Sequence, residues 1–217
     1  MSVSLEEKER ISQDIISETL SRATNPYALF TGTRDSLVSL HLIRQVQNGK
    51  IIIPVLHIDT SVEFPEIYQF IEKMRKLWCF SLLRERNEEA LRTITIAEDK
   101  KLCCFLLKTE ALVRAIEKYG INYLFLAKRW EEQGDDPFFS VRGKCTLVNT
   151  LSHFSEKDSW DYVKKYNLPY CFLYNRGYKN FVCYHCVPTS LEKGDKMGRD
   201  ETEDKEVAKK LKALGYL

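Results

Sequence analysis

Two groups of residues in this 217-residue chain have types and spacings that could do chemistry. The first is the run Thr31-Gly32-Thr33-Arg34-Asp35-Ser36, between a short apolar stretch, Tyr27–Phe30, and an amphipathic one from Asp35 through Gln47. A strand–turn–helix unit of this kind presents main-chain amides with no intrahelical partner, and the helix dipole adds partial positive charge there. Gly32 lets an anion approach the backbone, and Thr31, Thr33 and Ser36 offer hydroxyls. Arg34 offers a cation, and Asp35 suits an N-cap or a magnesium-linked acid. The chemistry would be phosphate binding. An ordinary βα turn closed by a capping Asp has the same spacing.

The second group is the cysteines, seven in all and so unable to pair completely as disulfides. Cys103 and Cys104 are adjacent, Cys183 and Cys186 form a C-x-x-C pair, and 78 residues separate the two pairs. In a reducing compartment such clusters more often hold metal or do redox chemistry than staple a fold. Four thiolates are the ligand set of an iron–sulfur cluster or a structural zinc. Adjacent cysteines diverge around one zinc, whereas two irons of a cubane accommodate them; small buried hydrophobes are the plain alternative. Cys79, Cys145 and Cys171 stand in apolar contexts and read as core. His41, His153 and His185 have no second histidine at metal-binding spacing and read as packing or surface residues.

Composition narrows the field further. Hydrophobic residues make up 44% and charged residues 29%, as in an ordinary globular protein. The net charge of +2, from 33 basic and 31 acidic residues, gives no field to draw in nucleic acid or a membrane surface. The first residues lack an apolar signal region, and no run approaches the roughly eighteen apolar residues of a membrane span. A cytoplasmic location is the expectation.

The elements that must position these groups follow from periodicity. Ser4 to about Thr24 is helical in spacing and is stopped by Asn25-Pro26. Lys50–Ile58 reads as a buried strand, Phe64 to about Trp78 as a helix, and Cys79–Leu83 as a third strand. Arg84–Lys101 is weakly patterned. Leu102–Tyr119 reads as a helix with Gly120 as its C-cap, Ile121–Ala127 as a fourth strand and Cys145–Leu151 as a fifth. Asp158–Tyr166 is a short helix, Gly194–Glu206 is charged and apolar-poor, and Val207–Leu217 has a few helical positions. Strands alternating with helices predict a doubly wound α/β domain with a mainly parallel five-stranded sheet covered on both faces. One domain spans 1–217, with 1–24 as an N-terminal helix and 190–217 as a C-terminal tail.

The Thr31–Ser36 run resembles the Ser-Gly-Gly-x-Asp-Ser loop of the ATP-pyrophosphatase superfamily. More closely, the chain resembles the family uniting phosphoadenylyl-sulfate and adenylyl-sulfate reductases with the small subunit of bacterial sulfate adenylyltransferase. HIDTSVEFPEIYQFIEK resembles that family's His-x-Asp-Thr-x-x-x-Phe-Pro-Glu segment, which puts His57 and Asp59 at the mouth of the crevice. KTEALVRAIEKYG resembles the following helix, and FLAKRWEEQ the strand end that carries substrate-facing arginines. HFSEKDSWDYVKKYNLPYCFLYNRGYKN resembles the acidic turn, Trp-centred helix and Pro-Tyr/Leu-Tyr stretch. The chain departs from the pattern at Thr33 for a glycine, Arg34 for a lysine, Leu126 and Ala127 for glycines, and Trp130 for an arginine.

What the resemblance implies is an adenine nucleotide or adenylylated sulfate as ligand, on an adenine nucleotide alpha-hydrolase-like fold. Thr31, Gly32, Thr33, Arg34, Asp35, Ser36, His57 and Asp59 would bind it, and Lys108 and Arg129 would neutralise the sulfonyl oxygens. The Cys-Cys and Cys-x-x-Cys pairs resemble the 4Fe-4S signature of adenylyl-sulfate reductases, with Cys103, Cys104, Cys183 and Cys186 as ligands. Lys108, Leu112, Ala115 and Ile116 match the helix that follows; Cys183-Tyr184-His185-Cys186-Val187-Pro188-Thr189 departs from the usual Cys-x-Pro-Cys-Thr. The family's reductases attack sulfur with a thiolate from a C-terminal tail, yet no cysteine follows Cys186, so a thioredoxin-like donor or a cluster-site cysteine would supply it. The ending MGRDETEDKEVAKKLKALGYL resembles instead that of the adenylyltransferase subunit, which implies adenylyl transfer with Mg2+ and a GTPase partner. Adenylylation of FMN and a non-catalytic nucleotide or cluster sensor are the remaining expectations, and all are compatible with a homo-oligomer.

Overall fold

The computed structural model describes residues 3–129, 139–142, 144–178, 181 and 183–186, with 139–142 described as backbone only. Trp130 and the expected tail at 190–217 lie outside the described residues. The strands are β1 (Pro26–Leu29), β2 (Val55–Ile58), β3 (Leu82–Glu85), β4 (Tyr123–Leu126), β5 (Phe139–Arg142) and β6 (Cys145–Asn149). They form one sheet in the order β3-β2-β1-β4-β6-β5. Five strands run parallel, as the alternation of elements predicts, and β5 pairs antiparallel with β6 at the edge. That sixth strand, Phe139-Ser140-Val141-Arg142, lies just before β6 and is additional to the five expected.

Side-chain alternation divides each central strand between two cores. Ala28, Val55, Phe125 and Val148 face the larger core, while Tyr27, Leu56, Leu124 and Leu147 face the smaller. The larger core is covered by α1 (Leu5–Arg22), α2 (Arg34–Val46), α3 (Pro65–Trp78) and α7 (Glu156–Lys165), which contribute Ile16, Leu37, Ile71 and Tyr162 among others. The smaller core is covered by α6 (Ala111–Tyr119) through Ala115, Leu112 and Ile116. Two short helices precede it: α4 (Glu88–Thr93), inside the weakly patterned stretch, and α5 (Lys100–Cys104). Between α5 and α6 the chain continues as one π-helical segment, Phe105–Glu110. Insertions of this kind are rare and concentrate at functional sites.

Where boundaries differ from the expected ones, local chemistry explains it. Pro54 has no N–H to give a ladder, so the apolar run from Lys50 becomes a strand only at Val55. Cys79 takes a left-handed conformation at the end of α3 (φ 52°), which moves the third strand to Leu82–Glu85. Asp99 accepts from the amides of Lys101 and Leu102 and starts the helix at Lys100 rather than Leu102. Ser155 and Asp158 form a reciprocal capping box, so α7 starts at Glu156 rather than Asp158.

At the end of β1, Phe30 is fully buried against Phe70 and Phe80, with ring centroids 6.3 and 6.1 Å away. Truncation to alanine leaves a cavity under the start of the loop. Phe30→Ala is expected to lower the unfolding free energy by about 3–5 kcal/mol in urea titration; a loss under about 1 kcal/mol would contradict this packing.

Candidate functional site

The strand order reverses on either side of β1, and in open α/β sheets a crevice opens at such a point beyond the carboxyl ends of the strands. The loop after β1 and the segment after β4 therefore face each other. Between them lies a cavity of about 370 Å3 whose wall includes Thr31 and Thr33 from the first and Lys128 from the second. Thr60 and Glu63 reach it from the loop after β2, Lys108 and Thr109 from the π-helical segment, and Phe181 and Cys183 from the segment beyond α7. Its apolar wall is formed by Leu29, Ile58, Ile67, Leu112, Leu126 and Leu147.

The loop is built around Gly32, whose φ of +74° is a conformation that side-chain-bearing residues rarely adopt. A Cβ there would also meet Ile67 at 3.0 Å and Ile71 at 3.3 Å, so α3 packs closely beneath the turn. Thr33, not Asp35, is the N-cap: its hydroxyl accepts from the amide of Ser36 at 3.3 Å. The Ser36 hydroxyl in turn accepts from the amide of Thr31 at 3.3 Å. One amide expected to face a phosphate, that of Arg34, donates instead to the Tyr174 hydroxyl at 2.8 Å. Among the described residues, the amides of Gly32, Thr33 and Asp35 have no acceptor and remain for an anion.

Arg34 and Asp35 stand elsewhere than the spacing suggests. The Arg34 guanidinium is 1% exposed and lies away from the cavity wall. It ion-pairs with Asp35 at 3.0 Å and Glu156 at 3.1 Å, and stacks over Trp160 at 5.0 Å. Burial works against its charge, but Asp35 and Glu156 outweigh burial and raise its pKa above the usual arginine value. Asp35 holds a second guanidinium as well, with Arg129 Nη1 donating at 2.8 Å. Both Asp35 oxygens are thus engaged by arginines, so this carboxylate does not fit the magnesium role that the spacing allowed. Arg129 itself is buried beside the loop, and its neighbour Lys128 lines the cavity.

His57 is fully buried at the end of β2 and lies behind the cavity wall. Its Nδ1–H donates to the carbonyl of Phe30 at 3.1 Å, and burial lowers its pKa, so the ring is neutral with its lone pair on Nε2. Nε2 faces Glu63 Oε2 at 3.5 Å. Asp59 is tied into a turn: its Oδ1 accepts from the amide of Ser61 at 2.7 Å and the hydroxyl of Tyr68 at 2.8 Å. Of the residues expected to touch a ligand, Thr31, Thr33, Lys108 and Cys183 line the cavity. Thr60, Glu63 and Lys128 do so as well, Thr60 and Lys128 adjacent to an expected residue and Glu63 four residues after Asp59.

The two cysteine pairs come together beside this cavity. Cys183 and Cys186 bracket a 3-10 turn, Tyr184–Cys186, pinned to the loop after β2 by the Tyr184 amide donating to the Val62 carbonyl at 2.8 Å. Thr60 Oγ1 lies 3.8 Å from Cys183 Sγ. Burial pushes the Cys186 thiol up, and Cys183, Cys104 and Cys103 add to the push. Cys183 is raised by burial and by Cys104 and Glu63, against the pull of Lys108. Cys104 thus lies near enough to act on both thiols of the second pair, although no three His, Cys, Asp or Glu side chains among the described residues stand in ligand geometry. Cys145 and Cys171 are buried as expected, whereas Cys79 is exposed at the end of α3.

Arg34→Leu removes the cation that Asp35, Glu156 and Trp160 share, and is expected to cost about 3 kcal/mol of stability in urea unfolding. Arg34→Lys restores charge without the planar fork and is expected to recover only part of the loss. Full stability in Arg34→Leu would contradict the ion-pair arrangement.

Comparison with known proteins identifies the family. Residues 25–189 match the phosphoadenosine phosphosulfate reductase domain family. Sulfate adenylyltransferase subunit 2 of Bacteroides fragilis is 29% identical over 201 residues, covering 78% of this chain and 66% of that protein. The Shewanella amazonensis subunit 2 is 29% identical over 211 residues, covering 82% and 69%. The chain thus spans about two thirds of the length of these curated relatives. Among solved structures, phosphoadenylyl-sulfate reductase from Candida auris superposes with a TM-score of 0.69 at 20% identity, over 85% of this chain and 98% of that one. Candida glabrata FMN adenylyltransferase in complex with ATP gives 0.63 at 16% identity, over 89% and 70%; both show the shared fold. With more than half of its residues matched to the family, the chain belongs to the phosphoadenosine phosphosulfate reductase domain family.

Proposed function

We propose that this protein is an enzyme of sulfate assimilation that binds an adenine nucleotide in the switch-point cavity and works on the group attached to its α-phosphate, beside a 4Fe-4S cluster. The observation that carries this reading is one cavity joining the Thr31–Thr33 turn and the Lys108 ammonium to an apolar wall of Leu29, Ile58 and Leu126. Phosphate belongs at the turn, where the Gly32 and Thr33 amides and the start of α2 supply partial positive charge. The base belongs against the apolar wall. Lys108 and Lys128 neutralise the oxygens of a sulfo group or of the phosphates.

Cys103, Cys104, Cys183 and Cys186 would hold the cluster: the fit lies in the chemistry of the donor set, four thiols from α5 and the segment at the Tyr184–Cys186 turn. When bound, the cluster supplies the positive charge that keeps these thiols ionised. Lys108, four residues after Cys104, stands between this centre and the ligand. In reduction, an external thiolate from a thioredoxin-like donor attacks the sulfur of adenylyl sulfate. The sulfur–oxygen bond breaks, and adenylate leaves with its phosphate still held at the turn.

A second reading is favoured by the curated relatives, which are sulfate adenylyltransferase subunits. Here an oxyanion acceptor attacks the α-phosphorus of ATP, the bond to the β-phosphate breaks, and pyrophosphate leaves over the Gly32 turn. Magnesium arrives with the ATP, since Asp35 is already committed to two arginines. A GTPase partner subunit belongs to this reading.

Anaerobic purification followed by iron and sulfide analysis, with calorimetry against AMP, ATP, adenylyl sulfate and phosphoadenylyl sulfate, separates these cases. The expected result is a brown, iron- and sulfide-containing protein that binds at least one of these nucleotides, with AMP released on addition of a dithiol to the adenylyl sulfate complex. Sulfate-dependent pyrophosphate release would select the transfer reading instead. Gly32→Ala is expected to weaken nucleotide binding at least tenfold and to cost about 1–3 kcal/mol of stability, because its φ is left-handed. Unchanged affinity in that variant would remove the phosphate from this turn.

A further inference from the structure

Among the described residues, Glu63 is the one acidic side chain on the cavity wall, and nothing in the phosphate or cysteine chemistry uses it. Its side chain is 14% exposed, and Oε2 is buried with no hydrogen-bond partner. The same is true of His57 Nε2, 3.5 Å away. The His57 tautomer is not free to vary. Its Nδ1 faces the carbonyl of Phe30 on the sheet, which can only accept, so the proton sits on Nδ1 and Nε2 is an acceptor. An ionised Glu63 would set an acceptor against an acceptor inside a buried site, at the full cost of two unsatisfied groups. A protonated Glu63 gives Nε2 the donor it lacks. Burial raises the Glu63 carboxyl to about 7, with Lys108 opposing and the nearby Asp59 carboxylate adding, which brings the protonated form within reach near neutral pH.

We infer that Glu63, backed by His57, presents its Oε1 to the cavity as a neutral acceptor and selects a ligand that brings a hydrogen-bond donor, an amino or hydroxyl group of the nucleoside. The inference rests on the nucleotide reading proposed above and deepens it. With Oε2–H committed to His57, Oε1 is left as a carbonyl-like oxygen on a wall whose other described residues are leucine, isoleucine, threonine, lysine, Phe181 and Cys183. Such an oxygen does not repel the ligand's phosphates, yet it is unsatisfied unless the ligand supplies N–H or O–H. The donors available are the adenine amino group and the ribose hydroxyls.

The test is calorimetry of the full chain with AMP, with inosine 5′-monophosphate, which lacks the amino group, and with the 2′-deoxy and 3′-deoxy forms of AMP. At least one analogue is expected to bind about tenfold more weakly than AMP, and which one identifies the donor. Glu63→Leu is expected to bind AMP about tenfold more weakly and to lose that discrimination. Glu63→Gln is expected to keep both, since its amide can donate to His57 Nε2 and offer its carbonyl to the ligand. Equal binding of all four ligands by the unmodified protein, discrimination retained in Glu63→Leu, or Glu63→Gln behaving as leucine would each overturn the inference. If Glu63→Leu does not fold, the analogue series and the glutamine variant still decide. Should AMP not bind, the same series is run on whichever of ATP, adenylyl sulfate and phosphoadenylyl sulfate does; absence of binding by all four of these adenine nucleotides would overturn the nucleotide reading itself, and this inference with it.

Discussion

The site depends on a buried charge that must be paired. Arg34, at the first turn of α2, has almost no contact with solvent, and its guanidinium persists there because Asp35 and Glu156 flank it and Trp160 and Tyr174 cover it. Asp35 reaches across to Arg129 beyond β4. This chain of charges links the loop after β1 and the end of β4, which face each other across the crevice, to the start of α7 behind them. In such a network the removal of one member leaves the others desolvated and unpaired. In the proposed reading the network fixes the loop's shape, and the ligand-facing work falls to the amides and hydroxyls of Thr31–Thr33 and to the lysines.

The sheet supplies the complementary constraint. Because β1 lies between β2 and β4, residues at consecutive strand ends converge from three separate stretches of sequence: Thr31 and Thr33, Thr60 and Glu63, Lys128. The π-helical segment adds a fourth wall by turning Lys108 and Thr109 inward together, while Leu112, one turn on, closes the apolar side. Cys183 then ties the cysteine group to the same space, so a nucleotide and a thiol-ligated centre would share a wall. That adjacency gives the iron–sulfur reading its structural interest: Lys108 and Glu63 both act on the Cys183 thiol.

Much of this was legible from residue types. Gly32 between two threonines announced the turn, and alternating apolar strands with helices announced the parallel sheet. The apolar pattern failed where a single residue overrides it, as at Pro54 and at Cys79 with its left-handed backbone. The site was less legible than the fold. Arg34 and Asp35 have the chemistry of phosphate and magnesium ligands, but a residue's type does not say which way it points, and here they satisfy each other. Glu63 sat unnoticed between Thr60 and Phe64 because an exposed glutamate and a cavity glutamate look alike in sequence. Only the fixed tautomer of His57, set by a carbonyl on a neighbouring strand, distinguishes them.

The central claim is that the open amides of the turn after β1 clasp the phosphates of an adenine nucleotide. The most direct measurement is a 15N–1H NMR titration of the labelled protein with AMP and ATP, following the assigned amides of Gly32 and Thr33. The account predicts large, saturable shifts at these two positions, with only small ones at Gly49, which lies in a different turn with open space around it. Binding that leaves Gly32 and Thr33 unmoved while shifting amides elsewhere would contradict it.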